Sequence, residues 1–224
     1  MLQFPGSGPL WLSIQLAGVT TVLLIVLGTP LAWWLARTRS HIKTPIEAIV
    51  ALPIVLPPTV LGFYLLLLLG PRGSIGRWWV DWTGETLTFS FAGLVVASCV
   101  YSLPFVVQPI QNAFEALGRN SLEVAWTLGA KPIDAFFSVA VPQSSRGYLT
   151  AAVMGFAHTL GEFGVVLMVG GNIPTETRVI SIAIYDQVES LNYANAHQLA
   201  AILLGFSFVA LSLLYLINRR WRRT

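Results

Sequence analysis

The sequence has few charged side chains. Only 10% of its 224 residues are Asp, Glu, Lys or Arg, against about 25% in an ordinary soluble domain, and 55% are hydrophobic. Thirteen basic and ten acidic side chains are too few to cover the surface of a water-soluble protein of this length. The mean hydropathy of +0.70 points the same way. The composition therefore excludes a soluble protein and predicts that the lipid bilayer surrounds most of the chain.

The chain has one cysteine, Cys99, and no P-loop. A single cysteine excludes an intramolecular disulfide and gives no support for redox chemistry. Without a G-x-x-x-x-G-K-[ST] motif the chain is not expected to bind ATP itself. Because His41, His158 and His197 lie at different depths or on different sides of the predicted membrane domain, we expect no metal site and no cofactor. An unrelated integral membrane enzyme is therefore the less favoured alternative, and the net charge of +3 gives no reason to expect a nucleic-acid partner.

Long uncharged runs are abundant instead. A helix of about 20 apolar residues crosses the ~30 Å hydrocarbon layer, and these runs lack the alternation of a membrane β-barrel. The predicted spans are residues 11–36, 48–70, 86–114, 147–172 and 199–217, the fourth being interrupted by Glu162. No basic residue precedes the first run, which indicates a retained helix and not a signal peptide. The sequence thus predicts an all-α polytopic membrane protein with residues 1–224 in a single transmembrane domain.

Basic residues are concentrated on one side of these spans. Ten of the thirteen follow the first span, separate the third from the fourth, or follow the fifth: Arg37, Arg39, Lys43, Arg119, Lys131, Arg146, Arg219, Arg220, Arg222 and Arg223. Cytoplasmic loops are enriched in Lys and Arg, so this side is predicted to face the cytoplasm. The amino terminus is then outside and the carboxyl terminus inside.

Prolines interrupt the predicted spans. Pro57 and Pro58 lie within the second, and each removes a backbone hydrogen bond and bends its helix. Such kinks either serve static packing or mark broken helices along a pathway whose shape changes, which makes both prolines candidate pathway or gate residues. On the outer side, residues 179–185 are apolar but too short to span, and are predicted to be interfacial or re-entrant.

The connection between the third and fourth spans, residues 115–146, has helical signals of its own. A short helix is predicted from an N-cap at Ser121 to a left-handed stop at Gly129, with Glu123 in its first turn. Its apolar positions recur at helical spacing and define one face: Leu122, Ala125, Trp126 and Gly129. This face either docks into a groove of a soluble partner or packs on the chain's own membrane domain.

The same connection carries a spaced motif. It reads Glu123-Val124-Ala125, three residues, Gly129, nine residues, Val139, one residue, Val141-Pro142. This resembles the EAA signature of permease subunits of bacterial binding-protein-dependent ABC importers, with apolar replacements only. The resemblance implies a type I importer permease fold, five transmembrane helices with a cytoplasmic coupling helix. It also implies contact with an ATPase subunit through five residues: Glu123, Ala125, Trp126, Gly129 and Pro142.

A closer resemblance within this family is to molybdate permeases. It rests on residues 52–62, 160–164 and 172–178. It implies that the chain moves molybdate, with tungstate or sulfate as alternatives, across the bacterial inner membrane by alternating access. The implied partners are two copies of an ABC ATPase subunit, an extracytoplasmic molybdate-binding protein and a second copy of this chain. ATP hydrolysis then belongs to the ATPase, and the chain itself is not expected to be an enzyme.

Four further polar residues are candidates for function. His158 and Glu162 are four residues apart in the fourth span, so we expect them to share a helical face and to pair, either as a structural clamp or at a gate. Asn172 and Arg178 lie on the outer connection. There they would contact an anion or the binding protein, unless they belong to a solvated loop.

Overall fold

The computed structural model describes residues 7–118 and 120–221, which form helices and turns with no strand among them. This confirms the predicted fold class. Three helices are long and apolar enough to cross a membrane alone: α1 (Ser7–Arg37), α5 (Phe91–Leu117) and α12 (Tyr193–Trp221). Three of the basic residues used to predict the orientation, Arg119, Arg222 and Arg223, lie outside the described residues.

The predicted second and fourth spans are each broken. The second consists of α2 (Lys43–Val55) and α3 (Pro58–Leu69), with a bend of 113° between the two helices. The fourth consists of α9 (Ser145–Leu160) and α10 (Gly164–Gly170), with a bend of 61°. If each bent pair is one span, the described chain has five candidate spans. The sequence left open whether the prolines kink the second span or break it, and the structure shows a break, because residues that precede proline avoid the helical region. Leu56 and Pro57 have ψ angles of 136° and 135°.

Short helices occupy both ends of the bundle. The end that is predicted to face outward, called the outer end below, has α4 (Ser74–Thr83) and α11 (Ile180–Glu189). The opposite end, called the loop side below, has four segments in succession: α6 (Asn120–Thr127), α7 (Pro132–Ala135), a π-helical turn (Phe136–Ala140) and α8 (Val141–Gln143). The sequence analysis missed α4, whose exposed Trp78 and Trp82 rings stack with centroids 5.9 Å apart. Such rings are typical of the headgroup zone.

The predicted interfacial segment at residues 179–185 begins α11. Ile180 and Ile182 are fully buried. The backbone N–H of Ile180 donates a 2.8 Å hydrogen bond to the Ser13 hydroxyl on α1. The first half of α11 is therefore built into the bundle, because its apolar side and its first free N–H group both find partners on neighbouring elements.

The core lies where α1, α5 and α9 pack together. Val106, Ile110 and Phe114 of α5 are buried there. The helices approach closely at Gly155 of α9, where an added Cβ would lie 2.5 Å from a methyl group of Val106. By contrast, much of α12 is exposed, including Phe208, which leaves an apolar surface for lipid or for another membrane helix.

Candidate coupling surface and intramembrane pathway

Helix α6 ends as the sequence predicts. Gly129 has a φ of +88°. Its N–H donates to the Trp126 carbonyl, and the Ala130 N–H donates to the Ala125 carbonyl, each at 3.0 Å. This pair of hydrogen bonds is the Schellman arrangement, which requires a left-handed residue after the helix. At the other end of the helix the N-cap prediction is wrong, because α6 begins at Asn120 and Ser121 lies in its first turn.

The predicted apolar face of α6 is divided between two sides. Leu122 is 1% exposed and Ala125 is half-buried, and both pack on the membrane domain. Trp126 points outward with its neighbours Val124 and Leu128, which is 84% exposed. Leu122 and Ala125 therefore pack on the chain itself, while Val124, Trp126 and Leu128 leave apolar area exposed on other sides of the segment. We call these three exposed side chains the outward patch.

Aromatic rings attach this connection to the transmembrane helices. The Trp33 ring of α1 makes edge contacts with Phe114 of α5 and Phe136 of the π-helical turn, both with centroids 4.9 Å apart. Tyr148 of α9 lies edge-on to Phe114 at 6.0 Å, and the Arg37 guanidinium lies 4.5 Å from the Trp33 ring. Edge contacts between rings are stabilising and directional. The Phe136 ring of the π-helical turn is thus in contact with rings of α1 and α5, and Phe114 joins it to Tyr148 of α9.

The start of α2 is fastened to the end of α5 by a polar cluster. Lys43 lies 3.1 Å from Glu115 and 3.6 Å from Glu47. The Gln111 amide donates to both carboxylates, at 2.7 Å to Glu47 and 3.1 Å to Glu115. Since these side chains are partly exposed, each ion pair contributes little stability, and the cluster mainly fixes the relative position of the two helices.

The two bent spans touch where each one breaks. Gly164, the first residue of α10, faces Pro58, the first residue of α3: a Cβ on Gly164 would lie 2.7 Å from the Pro58 Cβ. One turn further along α3, a Cβ on Gly62 would lie 2.8 Å from the Met168 Cβ. Both glycines therefore permit a close approach that larger residues would prevent. Pro58 lies at this contact and Pro57 at the break beside it.

The predicted pairing of His158 with Glu162 is wrong. Helix α9 ends at Leu160, so Glu162 lies in the break and does not continue the helical face of His158. The His158 Nδ1 atom is instead 2.9 Å from the Ser102 hydroxyl of α5. Its ring stacks on Phe105, with centroids 3.8 Å apart. The expectation assumed that an uninterrupted helix connects the two residues, which the break prevents.

Glu162 is buried without a hydrogen-bond partner. The residue is 4% exposed, and neither carboxyl oxygen accepts or donates a hydrogen bond among the described residues. The Ser98 hydroxyl of α5 lies close to the carboxyl group but outside hydrogen-bond geometry. Only the Glu162 backbone is held, by a 2.5 Å hydrogen bond from the Ser181 hydroxyl of α11 to its carbonyl. A buried carboxyl without partners is costly, and this makes Glu162 a functional candidate.

Sequence analysis missed a polar stripe on α5. Its polar members are Ser98, Ser102, Gln108 and Asn112, with Phe105 in the middle of the series. The successive intervals of four, three, three and four residues keep to one helical face. The stripe begins beside Glu162 and ends at a cavity of about 520 Å³ near the loop side. The helical spacing of these residues within a charge-free run was the signal that could have revealed it.

On the outer side, Asn172 and Arg178 contact each other. The Arg178 Nε atom donates a 2.6 Å hydrogen bond to the Asn172 side-chain oxygen. Asp186 of α11 accepts a 3.2 Å hydrogen bond from Asn172 and lies 3.9 Å from the Arg178 guanidinium. The carboxylate partly neutralises Arg178, which weakens the case for direct anion contact and leaves an exposed polar network. Asp186 was not predicted.

Metal ligands do not converge in the part of the chain that the structure describes. No group of three His, Cys, Asp or Glu side chains lies close enough there to hold a metal ion. The arrangement is instead that of a helical bundle with exposed apolar side chains at one end, two broken spans, and a polar stripe on α5 that runs from the buried Ser98 and Ser102 to the exposed Asn112.

These features define a class of membrane transport protein. The chain belongs to the family of binding-protein-dependent transport system inner membrane components, which matches residues 28–223. Solved structures of this class share its fold. The MetNI methionine ABC transporter aligns with a TM-score of 0.72 at 18% identity, over 95% of this chain and 94% of the other. A bacterial alginate ABC transporter aligns with a TM-score of 0.71 at 17% identity, over 96% of this chain and 78% of the other.

Proteins that are similar in sequence point to a narrower group within this family. The chain is 61% identical to the molybdenum transport system permease protein ModB of Azotobacter vinelandii, over 93% of this chain and 92% of the relative. It is 34% identical to the ModB protein of Escherichia coli K12, over 94% and 90%. It is also 33% identical to the sulfate transport system permease protein CysT of Synechocystis, over 88% and 69%.

Proposed function

We propose that the chain is the membrane-spanning permease subunit of an ATP-driven importer that moves molybdate across the cytoplasmic membrane. The observation that carries the proposal is the 61% identity to a molybdenum transport permease over 93% of the chain. The EAA-like motif and the alignment with importer permeases support it independently. Tungstate, which resembles molybdate in size and charge, is expected to pass as well.

The outward patch is the proposed contact with the ATPase. Its three apolar side chains have no partner side chain covering them in the described chain, and burial in a groove would remove them from water. Gly129 ends the helix that presents them, and Glu123 and Pro142 are exposed as well and are assigned to the same contact. Ala125 packs inward, so it sets the position of the helix and does not make the contact.

The proposed cycle is alternating access in a homodimer with two ATPase subunits. When the ATPase subunits close, each α6 moves with its partner, and the aromatic contacts of Trp33 transmit the movement to α1 and α5. The two bent spans would then change their mutual angle at the contact of Pro58 with Gly164. Glu162 and His158 lie next to this break and at the polar stripe, where a gate would open and close.

The outer network is the proposed contact for the extracytoplasmic binding protein. Asn172, Arg178 and Asp186 are polar, at least partly exposed and already connected by hydrogen bonds. Preordered groups lose little conformational entropy when a protein partner binds. Since Asp186 would repel an anion, selection among oxyanions is assigned to the binding protein, and the permease provides the passage.

Sulfate is the second candidate cargo, because sulfate permeases are also similar over most of the chain. Reconstitution of the chain into liposomes with the ATPase and a molybdate-binding protein distinguishes molybdate from sulfate as the cargo. We expect ATP-dependent uptake of labelled molybdate that stops when either partner is omitted. Uptake of sulfate with a sulfate-binding protein, and none of molybdate, would overturn the molybdate assignment but preserve the importer function. ATP-independent uptake would overturn both.

A further inference from the structure

Helix α4, at the outer end, has three faces of different character. Residues three and four positions apart share a face of a helix, so the faces can be read from the spacing. Gly76, Trp79 and Val80 form the first face and are buried or half-buried. Trp79 packs there on the buried cluster that contains Leu65 and Leu69. This face joins α4 to the bundle, and the two other faces are exposed.

One exposed face is apolar and aromatic. It consists of Ile75, Trp78 and Trp82, whose exposed fractions are 43%, 62% and 73%. The indole rings of Trp78 and Trp82 stack with 18° between their planes, and Trp82 also meets Trp79 edge-on at 6.2 Å. Contact of three large apolar side chains with water is unfavourable, whereas indole rings favour the zone between lipid and water.

The other exposed face is polar. It consists of Ser74, Arg77 and Asp81, and the exposed Arg72 lies just before the helix. Neither the Arg72 nor the Arg77 guanidinium makes an ion pair or hydrogen bond with the residues that the structure describes. A guanidinium on a long apolar stem can reach lipid phosphates while the stem remains in apolar surroundings.

The junction with α3 places α4 where a span ends. Residues 70–73 connect the two helices. An added Cβ on Gly76 would collide with the Gly70 carbonyl, so the backbone of α4 lies directly against the end of α3. Tyr64 and Leu67 of α3 are exposed, and the apolar surface of the bent span therefore continues up to this junction.

We infer that α4 lies in the interface of the membrane at the outer end and binds the phospholipid surface. Its apolar face enters the lipid, its polar face meets water, and Arg77 contacts headgroup phosphates. A helix with one apolar and one polar exposed face lies along the plane of the interface. The contact holds the end of α3 at the membrane surface. The inference needs only a membrane around the chain and does not depend on which solute is transported.

Spin labels test the division of α4 into faces. The chain, in a Cys99→Ala background, is reconstituted with its ATPase in vesicles of phosphatidylethanolamine and phosphatidylglycerol, with one nitroxide per variant. Oxygen concentrates in lipid and a nickel chelate in water, so the ratio of their collision rates with the nitroxide reports the surroundings. The ratio should be higher at each position of the apolar face than at each position of the polar face. The apolar-face variants are Ile75→Cys, Trp78→Cys and Trp82→Cys, and the matched polar-face variants are Ser74→Cys, Arg77→Cys and Asp81→Cys.

Equal ratios on the two faces would overturn the inference. So would labels on the apolar face that collide mainly with the nickel chelate and lose these collisions when the loaded binding protein is added. That result would show that the face is a docking surface for a soluble protein. If the face enters lipid, the binding protein should leave its ratios unchanged.

Tryptophan fluorescence tests the same face without a label. The double variant Trp78→Phe/Trp82→Phe keeps an aromatic ring at both positions, so α4 is expected to stay in place. The fluorescence of the two indoles is the difference between the unsubstituted chain and this variant. Lipids brominated near the top of their acyl chains should quench most of this difference, with the same lipids without bromine as the control. A difference of equal size in both lipids would overturn the inference.

Discussion

Gly129 determines how α6 ends, through its backbone and not through its size. Its φ is +88°, and a Cβ added there would meet no atom within 4 Å. Gly129→Val should therefore cost about 1–2 kcal/mol by forcing a β-branched residue into the left-handed region, whereas Asn adopts that region more readily. We expect Gly129→Val to lose copurification with the ATPase and Gly129→Asn to retain most of it. Equal losses would mean that bulk at this position, and not the left-handed backbone, is the cause.

Glu162 is expected to reduce stability in exchange for function. Both of its carboxyl oxygens are buried without partners in the described structure. Glu162→Met keeps an unbranched side chain of similar length and removes the polar group, so it should raise the free energy of unfolding by about 1–3 kcal/mol. Thermal unfolding in detergent measures this, and uptake by the same variant should fall. A lower melting temperature would show that the carboxyl holds the break together.

At the scale of elements, the contact between the two bent spans depends on two glycines, Gly62 and Gly164, which have no side chain. Gly164→Ala and Gly62→Ala each place a Cβ within 3 Å of a neighbouring side chain, so each should destabilise the protein by about 1–3 kcal/mol. Gly205→Ala is the control, because a Cβ there meets no atom within 4 Å. The free energy of unfolding in detergent and the rate of uptake should both fall for the first two variants and stay unchanged for the control. Full activity of Gly164→Ala would show that the spans need not pack this closely.

At the scale of the whole molecule, orientation follows from the distribution of charge. Ten basic residues on one side against three on the other predict that the loop side faces the cytoplasm. In a Cys99→Ala background, a membrane-impermeant thiol reagent applied to intact spheroplasts should label a cysteine replacing the exposed Glu85 and spare one replacing the exposed Gln143. Labelling of the cysteine at position 143 and not of the one at position 85 would show that the topology is the reverse. Labelling of both from outside would indicate leaky membranes, and retention of a cytoplasmic marker protein in the spheroplasts is the control for leakage.

Part of the site was predictable because it depends on local backbone chemistry. The left-handed end of α6 follows from a glycine after a short helical pattern, and the EAA-like spacing places the motif on that helix. The break beside Pro57 was predictable from proline alone, although its angle of 113° was not. The polar stripe of α5 was present in the sequence spacing but was not recognised there.

The sequence by itself determined the membrane environment, the approximate spans and the end of α6, because hydropathy, charge and backbone preference act over a few neighbouring residues. Only the tertiary structure decided which side of α6 packs inward, that His158 meets Ser102 and Phe105 instead of Glu162, and that Pro58 contacts Gly164. These contacts join residues about 50 to more than 100 positions apart. Helical periodicity gives the direction of a side chain around its own helix, but the helix packed against that face is fixed by close packing across the whole bundle.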